Sequence, residues 1–438
     1  ERLPTTGKGL PGTFRRVILG GCFKRDIMKI ALFTNTYLPH VGGVANSVSS
    51  LVEGMQDRGH QCLVIAPDFP DQPERESGIV RIPSIRNFNG TDFSFRLPSG
   101  TRIRDAIKAF GPDIIHSHHP FLLGDAAMRM ANEWEVPLVF THHTRYEDYV
   151  HYVLDDSDYL ERLAGELATE YANLCDQVVA PSGSIADLIR ERGVTVPIEV
   201  IPTGIDPRRF EDGDRQEARE AYGIAEDVFL MGHVGRLAEE KNLPFLVGAV
   251  IRYLRSEEKA AFLLVGSGDL EESIGREFEE AGLADRLHRA GRLKGRQLVQ
   301  AYKAMDLFAF SSKSETQGMV LAEAMAAGVP VIALDASGSR DIICDGENGR
   351  LMPSSSSARD FAEGIGTFRD QIASGGESLH SAMRETVHQF SAAVCLDRLE
   401  GLYEDLLKRL SGGRDNTGWD RFVNRVDAEW EIAVGRAR

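Results

Sequence analysis

The chain has 438 residues, a formal net charge of −16 and five cysteines. That length exceeds one ordinary hydrophobic core and predicts two domains, while the acidic balance argues against a general nucleic-acid binder. No apolar run reaches transmembrane length, and the scattered cysteines (Cys22, Cys62, Cys175, Cys344, Cys395) lack metal-ligand spacing and suit a reducing, cytoplasmic compartment.

Residues 1–27 carry arginines and glycines without the apolar core of a secretory signal, and read as a tail. The first predicted strand is Lys29 to Phe33. Gly42-Gly43 and a helix from Val44 to Arg58 follow, with Val44, Val48, Leu51, Val52 and Met55 on one stripe. A strand, a double glycine and a helix make either a phosphate-facing loop or a plain turn. Further strands are expected at Gln61 to Ala66, Pro112 to His119, Pro137 to His143, Gln177 to Ala180 and Ile198 to Ile201. Strands alternating with helical stretches predict a mainly parallel sheet. Ligands sit at the carboxyl ends of such strands, where His116, His118, His143, Pro181-Ser182 and Thr203-Gly204 would collect.

The histidines invite a zinc reading, but there is no H-E-x-x-H, and adjacent His142 and His143 would face opposite ways on a strand. Asp155-Asp156-Ser157-Asp158 holds a D-x-D, which is either a metal-bridged diphosphate site or a solvated polar face. The stretch Ser99 to Phe110 has an apolar stripe (Ile103, Ala106, Ile107, Phe110) ringed by Arg96, Arg102, Arg104 and Lys108. It reads as an ordinary docked helix or as a patch for an anionic membrane.

The polar run from Gly204 to Arg219 reads as a linker. A second alternating unit follows, with strands Val228 to Val234, Ala260 to Val265, Leu287 to Ala290, Asp306 to Phe310 and Pro330 to Leu334. Arg236 and Lys241 sit at the mouth of its first strand-to-helix turn, where they could clamp a diphosphate or form surface salt bridges. Gly266-Ser267-Gly268 and Gly291-Arg292 end the next two strands. The most informative stretch is Ser314 to Ala333, SETQGMVLAEAMAAGVPVIA. Glu315 is expected at a loop-to-helix junction and Glu323 two turns into the helix, roughly 12 Å away along the axis. That is wider than the roughly 5–9.5 Å of paired glycosidase carboxylates. The two glutamates therefore read as separate holders of a long, hydroxyl-rich ligand. The amides of Thr316, Gln317 and Gly318 between them would open the helix N-terminus.

Arg236…Lys241, Gly266-Ser267-Gly268, Pro202-Thr203-Gly204-Ile205-Asp206 and the E-x7-E motif of Glu315 and Glu323 together resemble the retaining glycosyltransferases of family 4. The resemblance implies a GT-B fold: two Rossmann-like α/β domains of parallel sheet facing a central cleft. It divides the chain into a tail (1–27), an acceptor-binding domain (28–207), a nucleotide-sugar-binding domain (208–389), a crossing helix (390–411) and an amphipathic C-terminal segment (412–438). One departure is Thr-Gln-Gly where many members have Gly-Phe-Gly after the first glutamate.

Carried over residue by residue, the resemblance implies that Arg236 and Lys241 hold the donor diphosphate, so that no metal or other cofactor is required. Glu315, Thr316, Gln317 and Gly318 would bind the sugar and Glu323 the ribose. Gly266 and Arg292 would flank the nucleotide, and Gly43 would lie beneath the diphosphate or the acceptor. His143 matches the family's active-site histidine; a core role is its alternative. The stretch His142 to Tyr152 resembles bacterial diacylglycerol glucosyltransferases, which makes Arg145, Tyr146 and Tyr149 acceptor candidates. The expected partners are a nucleotide-sugar donor, UDP-glucose first, and a lipid or sugar acceptor, with the enzyme peripheral on the inner face of a membrane.

Trp419, Phe422, Val423, Val426, Trp430 and Val434 share one face of the C-terminal segment, which would dock on the protein itself, on a membrane or on a partner. The competing functions are hexosyl transfer to a lipid, transfer to a soluble sugar or sugar phosphate, a GDP-mannose-dependent mannosyltransferase, a non-catalytic nucleotide-sugar binder, and an epimerase of the same fold.

Overall fold

The computed structural model describes residues 27–40, 42–69, 72–73, 76–85, 95–96, 100–145 and 158–409. The tail up to residue 26, Tyr146, Tyr149, residues 155–157 of the D-x-D and the 412–438 segment lie outside the described residues.

The first half of the chain runs β1 (Lys29–Phe33), α1 (Gly43–Asp57), β2 (Gln61–Pro67), β3 (Ile79–Ile82), a short antiparallel pair β4 (Ser84–Ile85) and β5 (Phe95–Arg96), and α2 (Gly100–Phe110). It continues with β6 (Ile114–Ser117), α3 (Leu123–Glu133), β7 (Leu138–Thr141), α4 (Asp158–Asn173), β8 (Gln177–Ala180), α5 (Gly183–Glu191) and β9 (Ile198–Val200). Seven of these strands form one parallel sheet in the order β3-β2-β1-β6-β7-β8-β9. Its central strands are short apolar runs buried along their length, as expected where helices cover both faces.

The second unit comprises α6 (Arg215–Ala221), β10 (Phe229–Val234), α7 (Leu243–Ser256), β11 (Ala260–Val265), α8 (Glu271–Glu280), β12 (Leu287–Gly291), α9 (Gly295–Ala304), β13 (Leu307–Phe310), α10 (Met319–Ala326), β14 (Val331–Leu334), β15 (Arg350–Met352) and α11 (Ala358–Gln389). Its six strands are parallel in the order β12-β11-β10-β13-β14-β15. The last helix, α12 (Ala392–Arg409), returns to the first sheet. There Cys395, Leu396, Leu399, Tyr403 and Leu406 share a core with Leu32, Val48, Val52 and Val64. Each such fully buried aliphatic side chain contributes about 1.5–3 kcal/mol. Arg58 adds an ion pair and His60 a hydrogen bond to Glu400, itself buried.

Strand order places the site. In each sheet the order reverses once, between β1 and β6 and between β10 and β13. Loops leaving the carboxyl ends of strands that flank a reversal diverge to opposite faces and leave a crevice. The loops after β10 and β13 carry Arg236, Lys241 and Glu315, and the loops after β1 and β6 lead to Gly43 and His118.

Two sequence expectations are corrected. The stretch 204–219 is folded rather than a linker. Pro207–Phe210 makes a 3-10 turn capped by Asp206, Phe210 and Ala218 enter the second core, and Arg219 is buried, donating to Ala304 O and Asp306. The helix after Glu315 also starts later than its composition suggests. Gly318 takes a left-handed φ of +65° as N-cap and α10 begins at Met319. Thr316 and Gln317 therefore lie in a bend ahead of the helix, and Glu323 is its fifth residue rather than two turns in.

Candidate active site

The second-domain half of the site is built by serine clamps. The sequence Ser311-Ser312-Lys313-Ser314 follows β13, and its hydroxyls donate to the main chain of the loop after β10. Ser311 Oγ lies 3.1 Å from Lys241 O, and Ser314 Oγ lies 3.1 Å from Glu240 O. Asn242, in a left-handed conformation (φ 54°), turns the chain from a 3-10 turn into α7, and its amide donates to Ser311 O. Lys241 is thereby held against the second loop, with Nζ 2.6 Å from Glu315 Oε1. Both side chains are less than one-fifth exposed, so the pair is sheltered yet within reach of a ligand. Arg236 stands exposed at the mouth of the same loop, paired with Glu240 at 2.8 Å.

Gly266 permits this arrangement. A Cβ there would lie 1.8 Å from Gly235 O, and its φ is +142°. The loops after β10 and β11 thus pack backbone to backbone, with Leu237 N donating to Ser267 O at 3.0 Å. Arg292 follows the end of β12 and is exposed. Glu323, on α10, is partly buried, and its Oε2 accepts from Tyr302 Oη at 2.9 Å. Burial pushes its carboxyl above the ordinary range, a shift that the Tyr302 hydrogen bond and nearby Arg209 oppose.

The first-domain half is a stack of histidines at the ends of β6 and β7. His116 is buried between Thr141 Oγ1 (2.7 Å from Nε2) and Tyr403 Oη of α12 (2.6 Å from Nδ1). His118 lies over it, ring centroids 4.3 Å apart, and its Nδ1 is 2.9 Å from His143 Nε2. Burial holds His116 near a pKa of about 3 and puts His118 and His143 well below the usual imidazole range, so all are neutral. One proton lies between His118 and His143. His118 Nε2 is buried without a protein partner and lies at the cavity wall.

The two halves meet. His118, His143, Thr141 and Ser47 of the first domain line one cavity with Gln317 of the second, walled on one side by Leu396 and Leu399 of α12. Gly43 opens α1 one turn before the cavity-lining Ser47, with free space where a Cβ would point. Arg145 is half-buried at the edge of the described chain. The strand-end histidines hydrogen-bond to one another, to Thr141 and to Tyr403, and among the described residues no group of three or more His, Cys, Asp or Glu is arranged to hold a metal.

The family model of Glycosyltransferase Family 4 matches residues 41–209, and that of Glycosyl transferases group 1 matches residues 214–373. The chain belongs to the family 4 glycosyltransferases. It is 31% identical over 312 residues to the alpha-monoglucosyldiacylglycerol synthase of Streptococcus pneumoniae, covering 70% of this chain and 71% of that one. It is also 31% identical over 336 residues to the GDP-mannose-dependent alpha-mannosyltransferase of Mycobacterium tuberculosis, covering 74% and 84%. The crystal structure of Anabaena HepE in complex with UDP and glucose superposes with a TM-score of 0.69 at 20% identity, over 86% of this chain and all of that one. The fold is GT-B, and the protein is a hexosyltransferase.

In this transferase the structure brings Arg236, Lys241, Glu315 and the 316–318 bend to one switch point. Gln317 lines the same cavity as His143, and Glu323 stands one helix turn behind Glu315's loop. Two further residues of the site carry no motif. Tyr302 reads as a core aromatic on α9, and His118 reads as one of several strand-end histidines; only contact with Glu323 and His143 distinguishes them.

Proposed function

We propose that the enzyme transfers glucose from UDP-glucose to a membrane lipid hydroxyl, diacylglycerol being the expected acceptor, with retention at the anomeric carbon. The observation that carries this reading is the 31% identity to a monoglucosyldiacylglycerol synthase across more than two-thirds of both chains. The Lys241–Glu315 pair supplies the chemistry. An entering diphosphate takes the Lys241 ammonium and the Arg236 guanidinium, whose two positive charges stabilise the leaving group without a metal. Glu315, released from Lys241, accepts hydrogen bonds from sugar hydroxyls, as the amides of Gln317 and Gly318 donate to them. Glu323 holds the ribose, and His143 meets the sugar from the first-domain wall of the cavity. The acceptor oxygen bonds to the anomeric carbon on the face from which the diphosphate departs. The carbon–oxygen bond to the phosphate breaks, and the acceptor proton passes to the departing phosphate oxygen.

Membrane contact through α2 fits this reading, since Arg102, Arg104 and Lys108 are exposed while Ile103 and Ile107 are buried. No described helix is long and apolar enough to cross a bilayer. A mannosyltransferase is the second reading, supported by the 31% identity to the M. tuberculosis relative over 84% of that chain. Turnover of UDP-glucose, UDP-galactose and GDP-mannose by purified protein separates the two. Preference for UDP-glucose supports the first, and preference for GDP-mannose replaces it.

A further inference from the structure

The turn at 336–341, between β14 and β15, lies outside the ligand contacts assigned above, yet it touches both halves of the molecule. Asp341, half-buried, uses both carboxylate oxygens. Oδ1 accepts from Ser184 N, in the first turn of α5 of the other domain, at 2.9 Å. Oδ2 accepts from Gly338 N at 3.0 Å. A carboxylate at a helix N-terminus is favourably placed for both its charge and its lone pairs.

Gly338 leans on the sugar-facing loop. A Cβ at this position would sit 2.5 Å from Glu315 Cβ, and its φ of +83° suits glycine alone. Ser337 Oγ donates to Glu315 O at 2.9 Å, and Ser314 and Ser337 form a β-bridge. A continuous path therefore runs from an amide of the first domain, through one carboxylate and one glycine, to the backbone of Glu315.

We propose that Asp341 is a positioning residue that couples the approach of the two domains to the placement of Glu315 and Gln317. When α5 reaches Asp341, both carboxylate oxygens are engaged, the 336–341 turn is fixed, and the sugar-binding loop is braced opposite His143. When the domains part, the brace keeps only its own-domain bond. The sugar side of this proposal rests on the assignment of Glu315 made above; the domain coupling does not.

Ser184→Pro tests it, because it deletes one N–H and leaves the charge of Asp341 in place. Proline is compatible with a first helical turn, and Pro244 already occupies the second position of α7. Ser184→Ala keeps the N–H and serves as control, and Asp341→Ala is the second variant. Spin labels, one in each domain, report the interdomain distance with UDP bound, whichever hexose and acceptor the enzyme uses. Wild type and Ser184→Ala should give one short distance, and the other two variants a longer or broader distribution. The dissociation constant of UDP should stay within about twofold, while kcat/KM for the sugar donor falls about tenfold, the scale of one hydrogen bond to a charged group. A wild-type distance distribution in Ser184→Pro overturns the coupling. Equal weakening of UDP and of the sugar donor would reduce Asp341 to a general structural role and overturn the positioning.

Discussion

Acid should unfold this protein steeply, and the buried histidines set the size of the effect. His116, His118 and His233 are at most 1% exposed. Burial lowers His116 to about 3 and His233 to about 4, and His118 falls well below 6.5. The sign follows from linkage: these imidazoles stay neutral in the fold but take up protons near pH 6.5 once the chain unfolds. Stability is therefore lost as pH falls through 6.5, and the loss continues down to the folded pKa values. For one such histidine the cost at pH 5 relative to pH 8 is about 2 kcal/mol, so three cost about 6 kcal/mol, against a typical total of about 5–15. Urea unfolding between pH 8 and pH 5 measures it. His233→Asn keeps a donor toward Ala309 O, the partner of His233 Nδ1 at 3.2 Å, and removes one titrating group. The variant should lose about 2 kcal/mol less stability over that range. A wild-type loss below about 2 kcal/mol, or an unchanged loss in the variant, would refute the burial argument.

The site makes its own predictions. Lys241→Met removes the sheltered cation beside the expected diphosphate, and kcat should fall by about 10²–10³, the range for deleting one preorganised charge-stabilising donor; steady-state rates on the preferred donor check it. Glu323→Gln keeps an acceptor for Tyr302 Oη. Because burial raises the Glu323 carboxyl, that group contributes stability as pH falls through its range, offsetting part of the histidine loss, and the variant should lack that increment while its donor KM rises; thermal melts at pH 5 and pH 8 and donor titrations separate the two effects. Gly266→Ala drives a methyl to 1.8 Å from Gly235 O at φ +142°, so the loops after β10 and β11 must part at a cost of about 3 kcal/mol or more. Urea unfolding should show that loss together with weakened nucleotide binding, and wild-type values for both would contradict the backbone packing.

The two sheets were legible because their central strands are short buried apolar runs separated by helix-length stretches. The site was legible for the same reason, since parallel topology delivers every strand-end motif to one edge. Finer placement escaped where a local rule met a tertiary one. The alanine-rich run after Gly318 looks helical from Glu315 onward, but the left-handed glycine delays the helix and keeps Glu315 in a loop beside Lys241. The 204–219 stretch looks like a linker because it is polar, yet Arg219 is buried through hydrogen bonds to backbone carbonyls, which leave no sequence pattern. β3 and β15 are edge strands of four and three residues, too short for periodicity to mark. Asp341 meets a backbone amide 157 positions away, and no spacing encodes that contact.

Transfer of labelled glucose from UDP-glucose, with diacylglycerol vesicles present or absent, tests the central claim most directly. An organic-extractable glycolipid is expected, formed only with the vesicles and carrying an α linkage by the anomeric coupling constant. A water-soluble product formed equally well without lipid, or a β-linked glycolipid, would contradict it.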